Sequence, residues 1–132
     1  MKTHPLRLLP GSDLSEALEA FVAEARVDGF VVCGIGSLVD ARLRFADRDA
    51  ATVIEGPSEI VSLSGSLSAD GAHLHMSIST AEGVVYGGHV VRGNKVRTTA
   101  EVLLVLLPEW RLVREPDPAT GYDELVVRPR RP

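Results

Sequence analysis

Three of the four histidines of this 132-residue chain lie close together in sequence, as His73, His75 and His89. In Ala72-His73-Leu74-His75-Met76-Ser77-Ile78-Ser79, polar and apolar side chains alternate strictly. A strand sends successive side chains to opposite faces, so Leu74, Met76 and Ile78 point one way and His73, His75 and Ser77 the other. Two strand rises separate the first two imidazoles by roughly 7 Å, near enough for both to turn onto one ion. Ala81-Glu82-Gly83 suits a three-residue hairpin loop with Gly83 in the left-handed position. Closing the chain there pairs Thr80 with Val84 and, in the same register, His75 with His89. Directly opposed residues share a face, so His89 joins the other two. A bulge at Gly87-Gly88 would instead turn His89 away. Three neutral imidazoles with an open fourth position are a catalytic zinc arrangement, with metal–nitrogen distances of about 2.0–2.1 Å. Such an ion can activate water or polarise a carbonyl. The competing reading keeps the histidines as hydrogen-bonding residues of a solvated pocket or subunit interface.

The elements that must position this hairpin are legible in outline. Leu6 to Leu9 reads as a first strand closed by Pro10-Gly11. A helix follows: Asp13 or Ser12 caps it, Glu16 completes a capping-box spacing, and Leu14, Ala17, Leu18, Phe21, Val22 and Ala25 recur at helical intervals. Asp28-Gly29 is expected to end it. Phe30 to Ile35 and Ala41 to Phe45 read as strands, with Gly34 and Gly36 marking a bend or bulge. Ala46 to Pro57 is polar and turn-rich. Glu59 to Ser68 alternates again, and Asp70-Gly71 makes the turn into the histidine strand. Gly93-Asn94 is a further turn. Val96 to Leu107 predicts a long strand, although its apolar run Val102–Leu107 also suits a helix. As a strand it is apolar on both faces, and the face away from the core needs a cover such as a neighbouring subunit. The proline-rich tail predicts one more short strand at Leu125–Val127. The fold class is therefore α+β, a mostly antiparallel sheet with a packed N-terminal helix, in a single domain spanning 1–132.

Composition narrows the function classes. A hydrophobic fraction of 45% and a charged fraction of 24% belong to a globular chain. A net charge of −4 argues against a broad electropositive surface for nucleic acid. Cys33 is the sole cysteine, so there is no internal disulfide and no cysteine-based zinc site, and a reducing compartment, the cytoplasm, is expected. No apolar run is long enough for a membrane span or a signal core.

The order Leu8-Leu9-Pro10-Gly11-Ser12-Asp13-Leu14, Glu59 to Leu67, His73-Leu74-His75-Met76-Ser77-Ile78, Gly87-Gly88-His89-Val90, Thr98-Thr99-Ala100-Glu101-Val102 and Thr120 to Leu125 resembles the PPC domain, the domain conserved in plants and prokaryotes. The resemblance covers nearly the whole chain. It implies a sheet with a packed helix assembled as a homotrimer. In land plants the domain follows AT-hook motifs of nuclear DNA-binding proteins, and stand-alone bacterial members carry a DNA-binding label from that association. The fold is also similar to acetolactate decarboxylase, whose zinc is held by three histidines including a His-x-His pair. On that analogy His73, His75 and His89 are the metal ligands, for zinc or another divalent ion. The functions implied are a metal-binding assembly or regulatory module with a small-molecule ligand, a zinc-dependent lyase of a small carbonyl acid, or a DNA-binding protein.

Other residues have simpler structural roles open to them. Glu59 and Glu101 are the candidate acid/base groups or hydrogen-bond partners of a ligating imidazole, or else partners of Arg97, Arg111 or Arg114 across a subunit contact. Arg128-Pro129-Arg130-Arg131-Pro132 is basic but lacks the central glycine of an AT-hook, and reads as a flexible terminus. Gly34-Ile35-Gly36-Ser37 lacks the remaining residues of a phosphate-binding loop. Cys33 reads as a buried small residue, and Trp110 as an anchor for the tail.

Overall fold

The structure is a computed structural model that describes residues 1–131. Eight strands and one helix follow in the order β1 (Lys2–Leu8), α1 (Leu14–Ala25), β2 (Gly29–Arg44), β3 (Thr52–Ser68), β4 (Gly71–Thr80), β5 (Val85–Val90), β6 (Lys95–Leu106), β7 (Trp110–Pro116) and β8 (Asp123–Pro129). The first six strands form one antiparallel sheet, ordered β1-β6-β2-β3-β4-β5. Its far edge curls back: Leu43 pairs with Val90 and Arg44 with His89, so β5 also meets the end of β2. β7 and β8 form a separate hairpin. The α+β, mostly antiparallel expectation holds.

Helix α1 starts where capping demands. The Asp13 carboxylate accepts from the Glu16 amide at 3.1 Å and from the Gly93 amide at 2.6 Å, so one side chain caps the helix and ties it to the β5–β6 turn. The helix stops at Ala25, three residues before the expected Asp28-Gly29, because Arg26 adopts a left-handed conformation at φ 54°. Leu14, Leu18 and Val22 are buried where α1 packs over β3, β4 and β6, within a core that includes Leu38, Leu43, Leu63, Leu67, Leu74, Ile78 and Leu104. Asn94 is fully buried and satisfied: its amide nitrogen donates to the carbonyls of Arg42 and Val91, and its oxygen accepts from the Arg42 amide.

Several expectations need correction. The two segments read around Phe30–Ile35 and Ala41–Phe45 are one 16-residue strand, β2, with irregularities against β6 near Val31–Cys33 and Gly36–Leu38. The turn-rich stretch Ala46–Pro57 is a loop only as far as Ala51, since β3 starts at Thr52 and pairs Thr52 with Leu43. Cross-strand pairing overrode local turn propensity there. β7, Trp110–Pro116, adds a strand within the proline-rich tail. The basic tail is not free: Arg128 pairs with Glu115, and Arg130 reaches Asp28 at 3.6 Å and the Arg26 carbonyl at 3.1 Å. Cys33 is exposed rather than buried. The run Val102–Leu107 is strand as far as Leu106, because β1 and β2 pair with it on both sides.

Candidate metal centre

The histidine hairpin forms in the register the sequence predicts. The Thr80 amide donates to the Val84 carbonyl at 2.9 Å, Gly83 sits at φ 77°, and His75 pairs with His89. No bulge intervenes at Gly87-Gly88, so all three imidazoles share a face. Ring centroids are 5.2 Å apart for His73–His75, 5.3 Å for His73–His89 and 5.6 Å for His75–His89. One ligand nitrogen from each ring lies within 4.8 Å of the others. A tetrahedral ion at about 2.0–2.1 Å requires nitrogens about 3.3 Å apart, so the three rings would have to draw together on binding one.

Neighbouring elements hold the hairpin in place. The Glu19 carboxylate of α1 accepts from the Ala72 amide at 3.0 Å, immediately before His73. On the other flank β3 approaches so closely that a Cβ on Gly65 would sit 2.0 Å from the His73 carbonyl oxygen; Gly65 also has φ 146°. Only glycine fits that position.

The donor set suits a divalent cation. Burial, then the Arg44 guanidinium and the two other rings, push the His89 imidazole down to about 4. Burial, Arg114 and His75 lower His73 as well. Both rings are therefore neutral at pH 7, as metal ligation requires.

One contact constrains that ligation. Arg114 Nη2 lies 3.0 Å from His73 Nδ1 and 2.8 Å from Ser66 Oγ. Arginine is only a donor, so His73 Nδ1 is the acceptor and Nε2 carries the proton of the neutral ring. Arg114 arrives there because β7 is pinned by side chains from two turns: the Leu112 amide donates to Asp28 and the Arg114 amide to Asp70, both at 2.8 Å.

A cleft of about 530 Å³ opens beside the rings, lined by all three histidines with Arg44, Asp49 and Tyr122. A second, of about 360 Å³, shares His73 and His75 and is lined by Ser66, Arg114 and Glu124. Neither contains Glu59 or Glu101. Those two carboxylates line a different cleft with Ile35 and Thr99. Within one chain the structure thus brings the histidines together and leaves the candidate carboxylates elsewhere. Sequence reading missed Arg44, because the return of β5 to β2 has no local signal. It weighed Arg114 only as a partner for a carboxylate, because nothing local shows β7 turning toward His73.

The model of the Plants and Prokaryotes Conserved (PCC) domain matches residues 1–108. The chain belongs to that family. Similarity to known proteins extends past that region. The chain is 45% identical over 130 residues, 98% of its length, to the Bifunctional protein GlmU of a Synechococcus strain, and spans 21% of that relative. It therefore spans about a fifth of the curated relatives it matches. Among solved structures, a hypothetical protein from Salmonella enterica superposes with a TM-score of 0.94 at 39% identity, covering 98% of this chain and 94% of that one. A metal-containing protein from Archaeoglobus fulgidus superposes with a TM-score of 0.80 at 28% identity, covering 96% of this chain and 94% of that one. The matched region stops before β7, so Arg114, Tyr122 and Glu124 reach the histidines from outside it.

Proposed function

We propose that this chain is a metal-binding module whose His73, His75 and His89 hold zinc or another divalent ion, assembled as a homotrimer. The convergence of three imidazoles on one face of the β4–β5 hairpin carries the reading. The metal-containing protein from Archaeoglobus fulgidus, with the same fold, supports it. The match to one fifth of GlmU fits a unit that travels as a module. A bound ion would supply an open position for water or a substrate oxygen.

Self-association is supported by the outer face of the sheet. Val32, Ile35 and Val61 are each more than half exposed there, and a cleft of about 850 Å³ adds Leu6, Val102 and Leu103. An apolar patch of this kind marks a protein contact. A second copy of this chain is the occupant that the resemblance implies. Ser64 lines both this cleft and the one beneath His73, so such a copy would border the histidine centre. That arrangement is the route by which Glu59 or Glu101 would serve as acid/base groups, and it favours a lyase of a small carbonyl acid as the second reading. DNA binding has less support, because Arg128 and Arg130 of the tail are already paired. The exposed Cys33 thiol suits a reducing compartment such as the cytoplasm.

The test is the metal content of untagged protein purified without chelator, compared with His75→Ala. Near-stoichiometric metal lost in the variant is the expected result. Absence of metal from both proteins overturns the reading.

A further inference from the structure

We infer that the histidine centre binds a small oxyanion, carboxylate or phosphate, between the guanidiniums of Arg44 and Arg114, and that metal uptake at His73 releases Arg114 for this role. The inference rests on the metal reading above.

Of the two clefts that meet at His73 and His75, the first is lined by Arg44 and Arg48 and the second by Arg114. Arg44 sits directly opposite His89 in the β2–β5 pairing. Arg114 is half-buried and in hydrogen-bond contact with His73. Among the described residues, no carboxylate lies within 4.0 Å of either guanidinium. The acids nearby are Asp47 and Asp49 on the wall of the first cleft and Glu124 in the second. A half-buried cation without a counter-ion is a standing electrostatic cost. Arg44 is exposed, so that cost falls on Arg114, and a divalent ion set between the two would add to it. An anion that bridges metal and guanidiniums removes the imbalance, and the planar fork of arginine matches carboxylate and phosphate oxygens in pairs.

The Arg114–His73 contact orders these events. Neutral imidazole has one lone pair outside the ring system, and Arg114 has it, at Nδ1. An ion binding at Nδ1 displaces the guanidinium directly. An ion binding at Nε2 moves the ring proton to Nδ1, where arginine cannot accept it. Either way, metal on His73 and the Arg114 hydrogen bond exclude each other. The guanidinium that leaves the ring remains held by the β7 backbone at the rim of the same centre. Metal and oxyanion therefore favour each other's binding, and by linkage the effect is reciprocal.

Calorimetry of malonate and of inorganic phosphate against the full chain, zinc-loaded and zinc-stripped, tests this. At least one anion should bind the zinc-loaded protein, and at least tenfold more weakly once zinc is removed. Arg44→Met and Arg114→Met, both zinc-loaded, should each weaken that binding at least tenfold. Arg114→Met should also take zinc more tightly than the wild type, a gain that mere structural damage would not produce. Preference for malonate assigns an organic acid, and preference for phosphate a phosphorylated ligand. The inference is overturned if neither anion binds the zinc-loaded protein, or if either variant binds as tightly as the wild type. A wild type that takes up no zinc yet binds an anion through both arginines would overturn the metal reading and the coupling between metal and anion, and leave the oxyanion site standing.

Discussion

The two ends of this sheet present opposite chemistries. The broad face of β1, β6, β2 and β3 exposes Val32, Ile35 and Val61, and Arg7 and Glu101 are the charged residues that line its cleft. The β4–β5 hairpin exposes imidazoles flanked by arginines. Both depend on the same alternation of side chains, and they differ in what can satisfy them. Apolar side chains in water are satisfied only by another apolar surface, which favours a protein partner. Lone pairs and unpaired guanidiniums are satisfied by ions. Assembly and ligand binding thus occupy adjoining patches, with Ser64 on the border between them.

The sharpest way to break that division is to charge the apolar face. Ile35→Glu with Val61→Glu should reduce the solution mass to that of one 14.2 kDa chain by light scattering, while the folded spectrum is kept. An oligomer of unchanged mass would remove the assembly role from this face. Gly65→Ala attacks the border instead. Its Cβ would collide with the His73 carbonyl oxygen, so we expect destabilisation of about 2–4 kcal/mol by denaturant unfolding, together with loss of metal binding. A mild effect would mean that β3 and β4 can separate beside the site.

Asp13→Ala probes a position remote from both regions. Loss of the helix cap should cost about 1–2 kcal/mol, with solution mass and metal content unchanged. Coupling to either would show that α1 sets their geometry. The smallest effect concerns pH. The imidazoles of His73 and His89 are held below their ordinary value in the folded chain. The unfolded chain therefore binds more protons between about pH 4 and pH 6.5, and folding stability must fall as the pH drops through that window. Chelator-treated protein should lose a few degrees of melting temperature between pH 7 and pH 5, and His89→Asn should flatten the decline. A flat profile in the wild type would mean that the rings are better solvated than their surroundings indicate.

Where a feature depended on local chemistry, the amino-acid order was sufficient. The capping spacing of Asp13 and Glu16, the left-handed Gly83 and the period-two pattern around His73 and His75 each have one favourable local geometry. Together they placed the helix, the hairpin and its register, and so the three metal-ligand candidates. What remained hidden depends on contacts between residues far apart in the chain. Nothing near Thr52 signals that pairing with Leu43 will draw a polar stretch into β3. Nothing near Arg44 signals that β5 will curl back beside it, and nothing near Arg114 signals that Asp28 and Asp70 will pin β7 against His73. The sequence by itself determined which side chains could bind a metal, because alternation and turn chemistry act over a few residues. Only the tertiary structure decided which charges surround that site and that Glu59 and Glu101 lie outside it, because sheet curvature and long-range pairing depend on the whole chain at once.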